Sequence, residues 1–500
     1  MSGDGARRGA GAVPPGTGIL HIGVGAFFKA FVAPQVGAAA AASTDPDAWG
    51  ILGLCPRRAE ARDALRPGGW RYHAVELAPD GARARCIDAL TGVIVLPEEP
   101  ARAIAALADP AIRIVTLTVT EKGYAHEPAT GRLAREHPDV AHDLAHDVTG
   151  GDVTGGDTAG GAAPRSIAGL LLAALAARRR AGHRPFTAIS CDNLPENGAL
   201  LRGLVLELAR AREAAREAGD GADAGLADWI AAEARFPSSM VDRIVPAVTP
   251  EALDAMAEAI GARDPGAVAH EPFAQWVIED DFVDGARPAF EAAGVTMVDD
   301  VAPHEAMKLR MLNGSHSALA YLGYLAGHGT IAEAVADDAL AGFVRALWRE
   351  EVIPALEAPP GTDLSAYAGD LMARYRNPAI RHRTWQIAMD GSQKLPQRLL
   401  GTARDNLRAG RPIPRVALAV AAWMRYVAGM DERGEAIDVR DPMAEELRSR
   451  GGAADPVDAL LALEPVFGDL GREPRFREAV AAAHAALTER GARAAAGALA

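Results

Sequence analysis

Lysine is scarce in this sequence. Of its 52 basic residues 48 are arginine, and lysine occurs only as Lys29, Lys122, Lys308 and Lys394. A lysine ammonium can lose its proton when it is buried, whereas an arginine guanidinium stays charged. The remaining lysines are therefore candidates for positions whose chemistry needs that property, and we favour Lys308.

Cysteine is also rare, and the sequence has no long apolar run. Cys55, Cys86 and Cys191 are far apart and show no CxxC spacing, which argues against a disulfide framework and a structural zinc site. No apolar run reaches the ~20 residues of a membrane span. We expect no metal site, no membrane partner and a cytoplasmic location. The first 17 residues lack an apolar signal region and predict a disordered leader.

Positive charge is in deficit, since the formal net charge is −14. With no basic stripe interleaved with aromatic residues, nucleic-acid binding is not expected. The 500 residues, 49% apolar and 24% charged, predict a globular protein of two domains. We expect a monomer.

The pattern of apolar residues changes at about residue 300. Before it, apolar runs of strand length alternate with Ala-rich helical stretches, which favours a parallel, doubly wound sheet. After it, apolar residues recur at three- and four-residue spacing, which predicts helices. We therefore predict a Rossmann-type nucleotide-binding domain over 18–299 and a mostly α-helical substrate-binding domain over 300–500. The repetitive Gly/Asp/Thr tract at 147–161 predicts a flexible surface loop.

A glycine turn follows the first predicted strand in "GVGAFF". Gly23 and Gly25 would permit a tight turn and close approach of a pyrophosphate to a helix N-terminus, although Phe28 replaces the third glycine of the usual pattern. The second strand ends without the acidic residue that NAD enzymes place there. Arg57 and Arg58 follow it instead, so NAD and NADP both stay open.

The stretch "KLRMLNGSHS" sets Lys308, Asn313 and His316 among apolar neighbours. At ~100° per residue, Asn313 lies ~140° and His316 ~80° from Lys308, so all three fit one broad helix face. Glu305 lies one turn before the lysine. An ordinary helix with a polar stripe is the alternative. However, the chain has neither the Tyr-x-x-x-Lys of short-chain dehydrogenases nor the GxSxG of serine hydrolases, which leaves a lysine base assisted by amide and imidazole groups.

At these residues the chain resembles the polyol-specific long-chain dehydrogenase/reductase (mannitol dehydrogenase) family, over residues 18–500. The motifs that carry the resemblance are "TVTEKGY" (118–124), "SCDNLPENG" (190–198), "MVDRIVP" (240–246), "PFAQWVIEDDF" (272–282), "KLRMLNGSHS" (308–317) and "HRTWQIAMDGSQKLPQRLL" (382–400). The resemblance implies a metal-independent, NAD(P)-dependent dehydrogenase or reductase of CH–OH groups in polyols or sugar acids.

The resemblance also implies the residues of the site. For catalysis it implies Lys308, Asn313, His316, Asn193, Glu305 and Asp242. For the cofactor it implies Gly23, Gly25, Ala26, Phe27, Arg57, Thr120 and Glu121. For the substrate it implies Lys394 and Gln386, and we add Arg383 and Arg398 as possible partners of a carboxylate.

Two departures from the family pattern bear on the substrate. The glycine turn continues as Phe-Phe-Lys-Ala-Phe where relatives have Phe-His-Arg-Ala-His, and Gln386 stands where mannitol-type enzymes place an arginine. The sequence around Gln386 favours the mannonate branch, which interconverts D-mannonate and D-fructuronate. The alternatives are interconversion of D-mannitol and D-fructose, and a catalytically silent sugar-binding protein, which only the altered turn supports.

The expected mechanism gives Lys308 the proton of the substrate hydroxyl, since burial disfavours the charged ammonium. Asn193 and Asn313 would hold the developing alkoxide, and His316 would orient the substrate oxygen. Whether Glu305 and Asp242 relay the proton or only tune the lysine stays open.

Overall fold

The computed structural model describes residues 13–128, 130–149, 162–215 and 224–500. Most of the predicted leader and residues 150–161 of the predicted surface loop lie outside these ranges. The last residue of the predicted leader and the first residues of the predicted loop lie inside the described ranges, and their structure differs from the prediction. Thr17 already belongs to the first strand, and Val148 and Thr149 are buried, so these three residues are part of the folded chain.

The strands all occur before residue 300. In chain order they are β1 Thr17–Ile22, β2 Gly50–Cys55, β3 Tyr72–Ala78, β4 Gly81–Ile87, β5 Leu90–Val95, β6 Ile114–Leu117, β7 Thr187–Ser190, β8 Ser239–Asp242, β9 Val268–His270, β10 Gln275–Glu279 and β11 Thr296–Val298.

Five of these strands form one parallel sheet in the order β5-β2-β1-β6-β7. Strand β1 is buried along its whole length, as expected for a strand covered by helices on both faces. The predicted doubly wound parallel sheet is confirmed. Two smaller sheets, β11-β10-β8 and β4-β3-β9, complete the strand structure.

The α-helices of the first three hundred residues flank these sheets. They are α1 Ala33–Ala41, α2 Glu60–Leu65, α3 Pro100–Ala108, α4 Pro138–Ala145, α5 Ile167–Arg180, α6 Asn197–Ala215, α7 Leu226–Glu233 and α8 Pro250–Ile260.

The rest of the chain is helical, as predicted. Its helices are α9 Ala302–Met307, α10 Gly314–Leu325, α11 Ile331–Ala336, α12 Asp338–Leu347, α13 Leu364–Tyr375, α14 Thr384–Ala388, α15 Gly391–Leu395, α16 Gly401–Arg408, α17 Pro414–Val427, α18 Ala444–Gly451, α19 Pro456–Leu461, α20 Glu464–Phe467, α21 Pro474–Arg490 and α22 Ala492–Gly497. Across the described ranges, no helix is long and apolar enough to cross a membrane.

Within the described ranges, four segments form π-helices, in which hydrogen bonds run from residue i to i+5. They are Phe28–Val32, Lys308–Asn313, Trp348–Val352 and Pro396–Leu400. Three of them contain residues that the sequence analysis singled out: Phe28, Lys308 with Asn313, and Arg398. π-Helical turns are frequent at functional sites.

The chain divides into two compact units. The first holds the described residues up to Leu77 together with Gly81–Ala302, and the second holds Ala78–Asp80 and Pro303–Ala500. In the first unit, successive residues of β1 and β2 point into separate apolar clusters on the two faces of the sheet. In the second unit, α10 and α17 are buried almost throughout and form the centre of one large core.

We expect Gly314→Ala to destabilise the second unit. A Cβ at Gly314 would lie 2.6 Å from the carbonyl oxygen of Arg398, and backbone cannot yield as a flexible side chain does. The loss should be about 1–3 kcal/mol, measured as a lower midpoint of thermal unfolding. Gly369→Ala is the matched control, because Gly369 lies exposed in α13 with no atom within 4 Å of an added Cβ. It should gain about 1 kcal/mol, and equal midpoints for the two variants would contradict the close packing at Gly314.

Candidate active site

The carboxyl ends of β1 and β6 lie side by side in the first unit. The two strands pair in parallel, from Ile19 with Ile114 to Ile22 with Leu117. The strand order reverses between them, because the chain proceeds from β1 to β2 on one side and reaches β6 on the other. In doubly wound sheets this switch point is where ligands bind.

The two glycines after β1 have different roles. Gly23 has φ +101, and a Cβ there would lie 2.1 Å from the carbonyl oxygen of Thr118, so only glycine fits. Gly25 is exposed, and an added Cβ would meet no atom closer than 3.8 Å. Gly23 therefore shapes the turn, and Gly25 leaves open space where a ligand can approach the backbone. Ala26 and Phe27 follow at the start of the helix and are half-buried.

The unusual residues of this turn belong to the core of the first unit. Phe28, Lys29 and Phe31 are buried in the π-helical segment, and Phe28 stacks on His21 with ring centroids 3.9 Å apart. Lys29 Nζ donates to the carbonyl oxygen of Gly266 at 2.9 Å, and burial lowers the pKa of this lysine to about 8. The departure from the family pattern is thus accounted for by packing, which removes the one support for a catalytically silent protein.

The other predicted cofactor residues follow strands β2 and β6. Arg57 is exposed just beyond β2, with Nη2 at 4.0 Å from Asp139 Oδ2. Thr120 follows β6 with φ 64 and ψ 161, a conformation that a β-branched residue rarely adopts. Glu121 is exposed next to it. Unusual backbone of this kind is concentrated at functional sites.

Asn193 and Asp242 lie at two strand ends of the first unit. Asn193 is exposed after β7, and Asp242 is the buried last residue of β8. Asn197, which the sequence analysis did not single out, joins these two regions. Its buried Nδ2 donates to the carbonyl oxygens of Asp192 at 3.0 Å and Ser239 at 2.8 Å. Its place in the "SCDNLPENG" motif was the only available signal.

Lys308, Asn313 and His316 follow one another along a continuous helix of the second unit. They are 8%, 8% and 7% exposed, and Glu305, in the preceding turn, is 8% exposed. The helix differs from the regular α-helix that we expected, because Lys308–Asn313 is π-helical and the N–H of Gly314 bonds to the carbonyl oxygen of Leu309. With more residues per turn than an α-helix, the predicted angles between these side chains do not apply.

Side chains from elsewhere in the second unit hold the widened turn. Trp348 Nε1 donates to the carbonyl oxygen of Met311 at 2.9 Å. The hydroxyl of Tyr375 donates to the carbonyl oxygen of Leu312 at 2.8 Å. Ser315 Oγ also lies 2.9 Å from the hydroxyl of Tyr375. These bonds supply partners for carbonyl groups in the region where the helix departs from the α pattern.

His316 lies in an aromatic and basic environment. Its ring is 5.1 Å from that of Tyr375 and 4.7 Å from that of His382 between centroids. Its Nε2 is buried and has no hydrogen-bond partner among the described residues. Burial, and then the charges of His382, Arg398, Arg374 and Lys394, lowers the pKa of His316 well below its usual value. The imidazole is therefore neutral at physiological pH.

Two of the four predicted substrate residues are close to His316. Arg398 Nη1 donates to Oγ of Ser317, the residue that follows His316, at 3.1 Å. Lys394 Nζ donates to the carbonyl oxygen of Met389 at 2.5 Å. Both are half-buried, whereas Arg383 and Gln386 are exposed. His382 was not predicted as a site residue, although it opens a motif that the sequence analysis quoted.

This combination of fold and side chains is that of an oxidoreductase acting on CH–OH groups. The chain belongs to the mannitol dehydrogenase family. Residues 17–292 match the mannitol dehydrogenase Rossmann domain, and residues 300–488 match the mannitol dehydrogenase C-terminal domain.

Individual relatives extend over almost the whole chain. D-mannonate oxidoreductase of Escherichia coli (strain K12) is 45% identical over 95% of this chain and 94% of its own. Mannitol 2-dehydrogenase of Pyrenophora tritici-repentis is 40% identical over 95% of this chain and 80% of its own. A ternary complex of Pseudomonas fluorescens mannitol 2-dehydrogenase with NAD and D-mannitol superposes with a TM-score of 0.81 at 35% identity, covering 96% and 94% of the two chains.

The two glycines of the turn should respond differently to alanine. Gly23→Ala combines an unfavourable φ with a backbone clash, so we expect a loss of about 3 kcal/mol or more in stability. Gly25→Ala should leave the unfolding midpoint unchanged, yet weaken dinucleotide binding about tenfold, because its methyl group occupies the open space. NADH titration followed by fluorescence, with thermal unfolding of each variant, measures both effects. Undiminished NADH binding by Gly25→Ala would contradict the assignment.

Proposed function

We propose that this chain transfers hydride between NAD and a secondary alcohol of an open-chain sugar acid, with D-mannonate and D-fructuronate as the substrate pair. The family membership supports the reaction class. The choice of a sugar acid over a neutral polyol is supported by the charge around His316 and by the similarity to D-mannonate oxidoreductase.

The charge around His316 is the observation that carries the proposal. In addition to its burial, the charges of Arg398, Arg374 and Lys394 lower the pKa of His316. Burial lowers the pKa of His382 to about 4, and the charges of Lys394 and Arg398 add to this effect. Arginine and lysine charges thus act on two neutral imidazoles in this region. A bound carboxylate would accept charge-assisted hydrogen bonds from these side chains. A neutral ketose offers no such group.

The first unit fits a nicotinamide dinucleotide. Gly25 leaves open space at the start of a helix, where backbone N–H groups and the helix dipole favour a pyrophosphate. Gly23, Gly25, Ala26 and Phe27 would hold the pyrophosphate region, with Arg57, Thr120 and Glu121 as further contacts. When bound, the nicotinamide accepts or returns the hydride of the alcohol carbon.

In the second unit, Lys308 takes the proton of the substrate hydroxyl during oxidation and returns it during reduction. Its side chain is buried, and burial is the condition under which a lysine can lose its proton and act as a base. The Asn313 amide donates to the developing alkoxide, and neutral His316 orients the same oxygen. The roles of Asn193 in holding the alkoxide, and of Glu305 and Asp242 in relaying the proton or tuning Lys308, are also part of the proposal.

Removal of the base should abolish turnover. Lys308→Ala is expected to lower kcat by roughly 10²–10⁴-fold, the contribution of general acid–base catalysis. The NADH dissociation constant should stay within about threefold of the unaltered value. Lys308→Arg keeps the charge but cannot release a proton at neutral pH, so it should be equally slow. Near-normal turnover by Lys308→Ala would refute the assignment of the base.

The substrate class can be tested with a charged and a neutral ketone. The unaltered protein should reduce fructuronate with a much higher kcat/KM than fructose. Arg398→Gln keeps a donor for Ser317 but loses the charge, and should raise KM for fructuronate about 10–100-fold, as expected for one charge-assisted hydrogen bond. Its KM for fructose should change little. Preference for fructose in both proteins would favour the mannitol 2-dehydrogenase alternative.

A further inference from the structure

The segment that follows β6 is held in a conformation that its own residues disfavour. Thr120 has φ 64 and ψ 161, a region populated almost only by glycine. A β-branched side chain makes this conformation still less favourable. Such a residue keeps this backbone only where its surroundings impose it.

The carboxylate of Asp192 imposes this backbone conformation on Thr120. The N–H of Thr120 donates to Asp192 Oδ1 at 2.9 Å, and the N–H of Val119 donates to Oδ2 at 2.9 Å. The hydroxyl of Tyr124, one turn further on, donates to the same Oδ2 at 2.8 Å. One side chain thus binds both ends of the turn from Val119 to Tyr124.

Asp192 is itself held rigidly. Its carbonyl oxygen accepts from Asn197 Nδ2 at 3.0 Å, and the Tyr124 hydroxyl lies 2.5 Å from Ser190 Oγ at the end of β7. No ion pair of Asp192 occurs among the described residues, so its carboxylate relies on these hydrogen bonds. Burial raises the pKa of Asp192, and the bonds from Val119, Tyr124 and Thr120 oppose that rise.

The residue type matters. A carboxylate accepts on both oxygens, whereas an asparagine amide accepts on one and presents an N–H₂ group on the other. Asparagine at 192 would therefore set one amide donor against a backbone donor. The two-oxygen grip on consecutive N–H groups requires aspartate.

These two hydrogen bonds also determine which groups of this segment are available to a ligand. Both backbone N–H groups point at Asp192, so they are occupied. The Thr120 hydroxyl makes no hydrogen bond to another described residue, and Glu121 is exposed. The segment therefore offers side chains rather than backbone donors at the switch point beside Gly23.

We propose that Asp192 is a positioning residue that holds Thr120 in its strained conformation and so presents the 118–121 segment to the nicotinamide dinucleotide. This inference rests on the proposed function, because it takes the dinucleotide as the ligand of the switch point.

A double-mutant cycle tests the inference through strain. Asp192→Asn should raise the NADH dissociation constant, and KM for NAD, about tenfold or more, since Thr120 relaxes out of the binding conformation. Thr120→Gly adopts the same φ and ψ without strain. In that background Asp192→Asn should change NADH binding less than about threefold, because no strained backbone at position 120 has to be maintained.

Thr120→Val is the matched control. It removes the hydroxyl but keeps the β-branched shape and hence the strain, so Asp192→Asn should keep its full effect there. For Asp192→Asn alone, KM for the sugar acid and kcat at saturating NAD should stay within about threefold. A general loss of structure would instead move all three parameters.

A second variant covers the case in which Asp192→Asn does not fold. Tyr124→Phe removes one donor to Asp192 Oδ2. It should raise the NADH dissociation constant about two- to fivefold when residue 120 is threonine, and should leave it unchanged in the Thr120→Gly background. Equal effects in the Thr120→Gly and Thr120→Val backgrounds, or no effect on NADH binding, would overturn the inference alone. Failure of the unaltered protein to bind NADH would overturn the proposed function as well.

Discussion

The widened helical turn at Lys308–Asn313 is the constraint on which the arrangement in the second unit depends. Its carbonyl oxygens at Met311 and Leu312 bond to Trp348 and Tyr375, which are 37 and 63 residues away in the chain. Tyr375 also stacks on the His316 ring. The core that buries these aromatic residues therefore decides where the lysine, asparagine and histidine side chains point. The same contacts therefore pack the core and position the candidate catalytic side chains.

The rarity of lysine has different causes at different positions. Lysine side chains are usually exposed, yet Lys29 and Lys308 are buried and Lys394 is half-buried. Lys29 satisfies a carbonyl oxygen inside the first unit, which is a structural role. Lys394 adds to the positive charge around His316. Scarcity of lysine by itself does not distinguish a proton-transfer role from a packing role.

Two unusual backbone conformations of the first unit lie at the carboxyl edge of the parallel sheet. Gly23 takes a left-handed φ against Thr118, and Thr120 takes one under the grip of Asp192. Both follow adjacent strands, β1 and β6. Conformations that cost free energy persist where the surrounding structure over-determines them, and the rigid parallel strands provide that support. The edge can thus hold a precise shape before a ligand arrives.

Sequence reasoning was successful where the signal is local. The alternation of strands and helices, the glycine turn and the helical pattern after residue 300 are all properties of short windows. β4 carries no strand signal, because it is exposed and Arg-rich and lacks an apolar pattern. Sequence reasoning also treated the Phe28–Phe31 segment as a possible ligand contact, since nothing local shows that these side chains pack inward.

Periodicity and motifs of a few residues are enough to indicate the fold class, the family and the candidate catalytic residues. Folding adds three features that no short window shows: the Lys308 helix widens into a π-turn, Arg398 and His382 lie beside His316, and Asp192 binds the turn at Thr120. Each of these depends on hydrogen bonds or charges between residues dozens of positions apart. Such pairings become defined only when the chain has folded and brought them into contact.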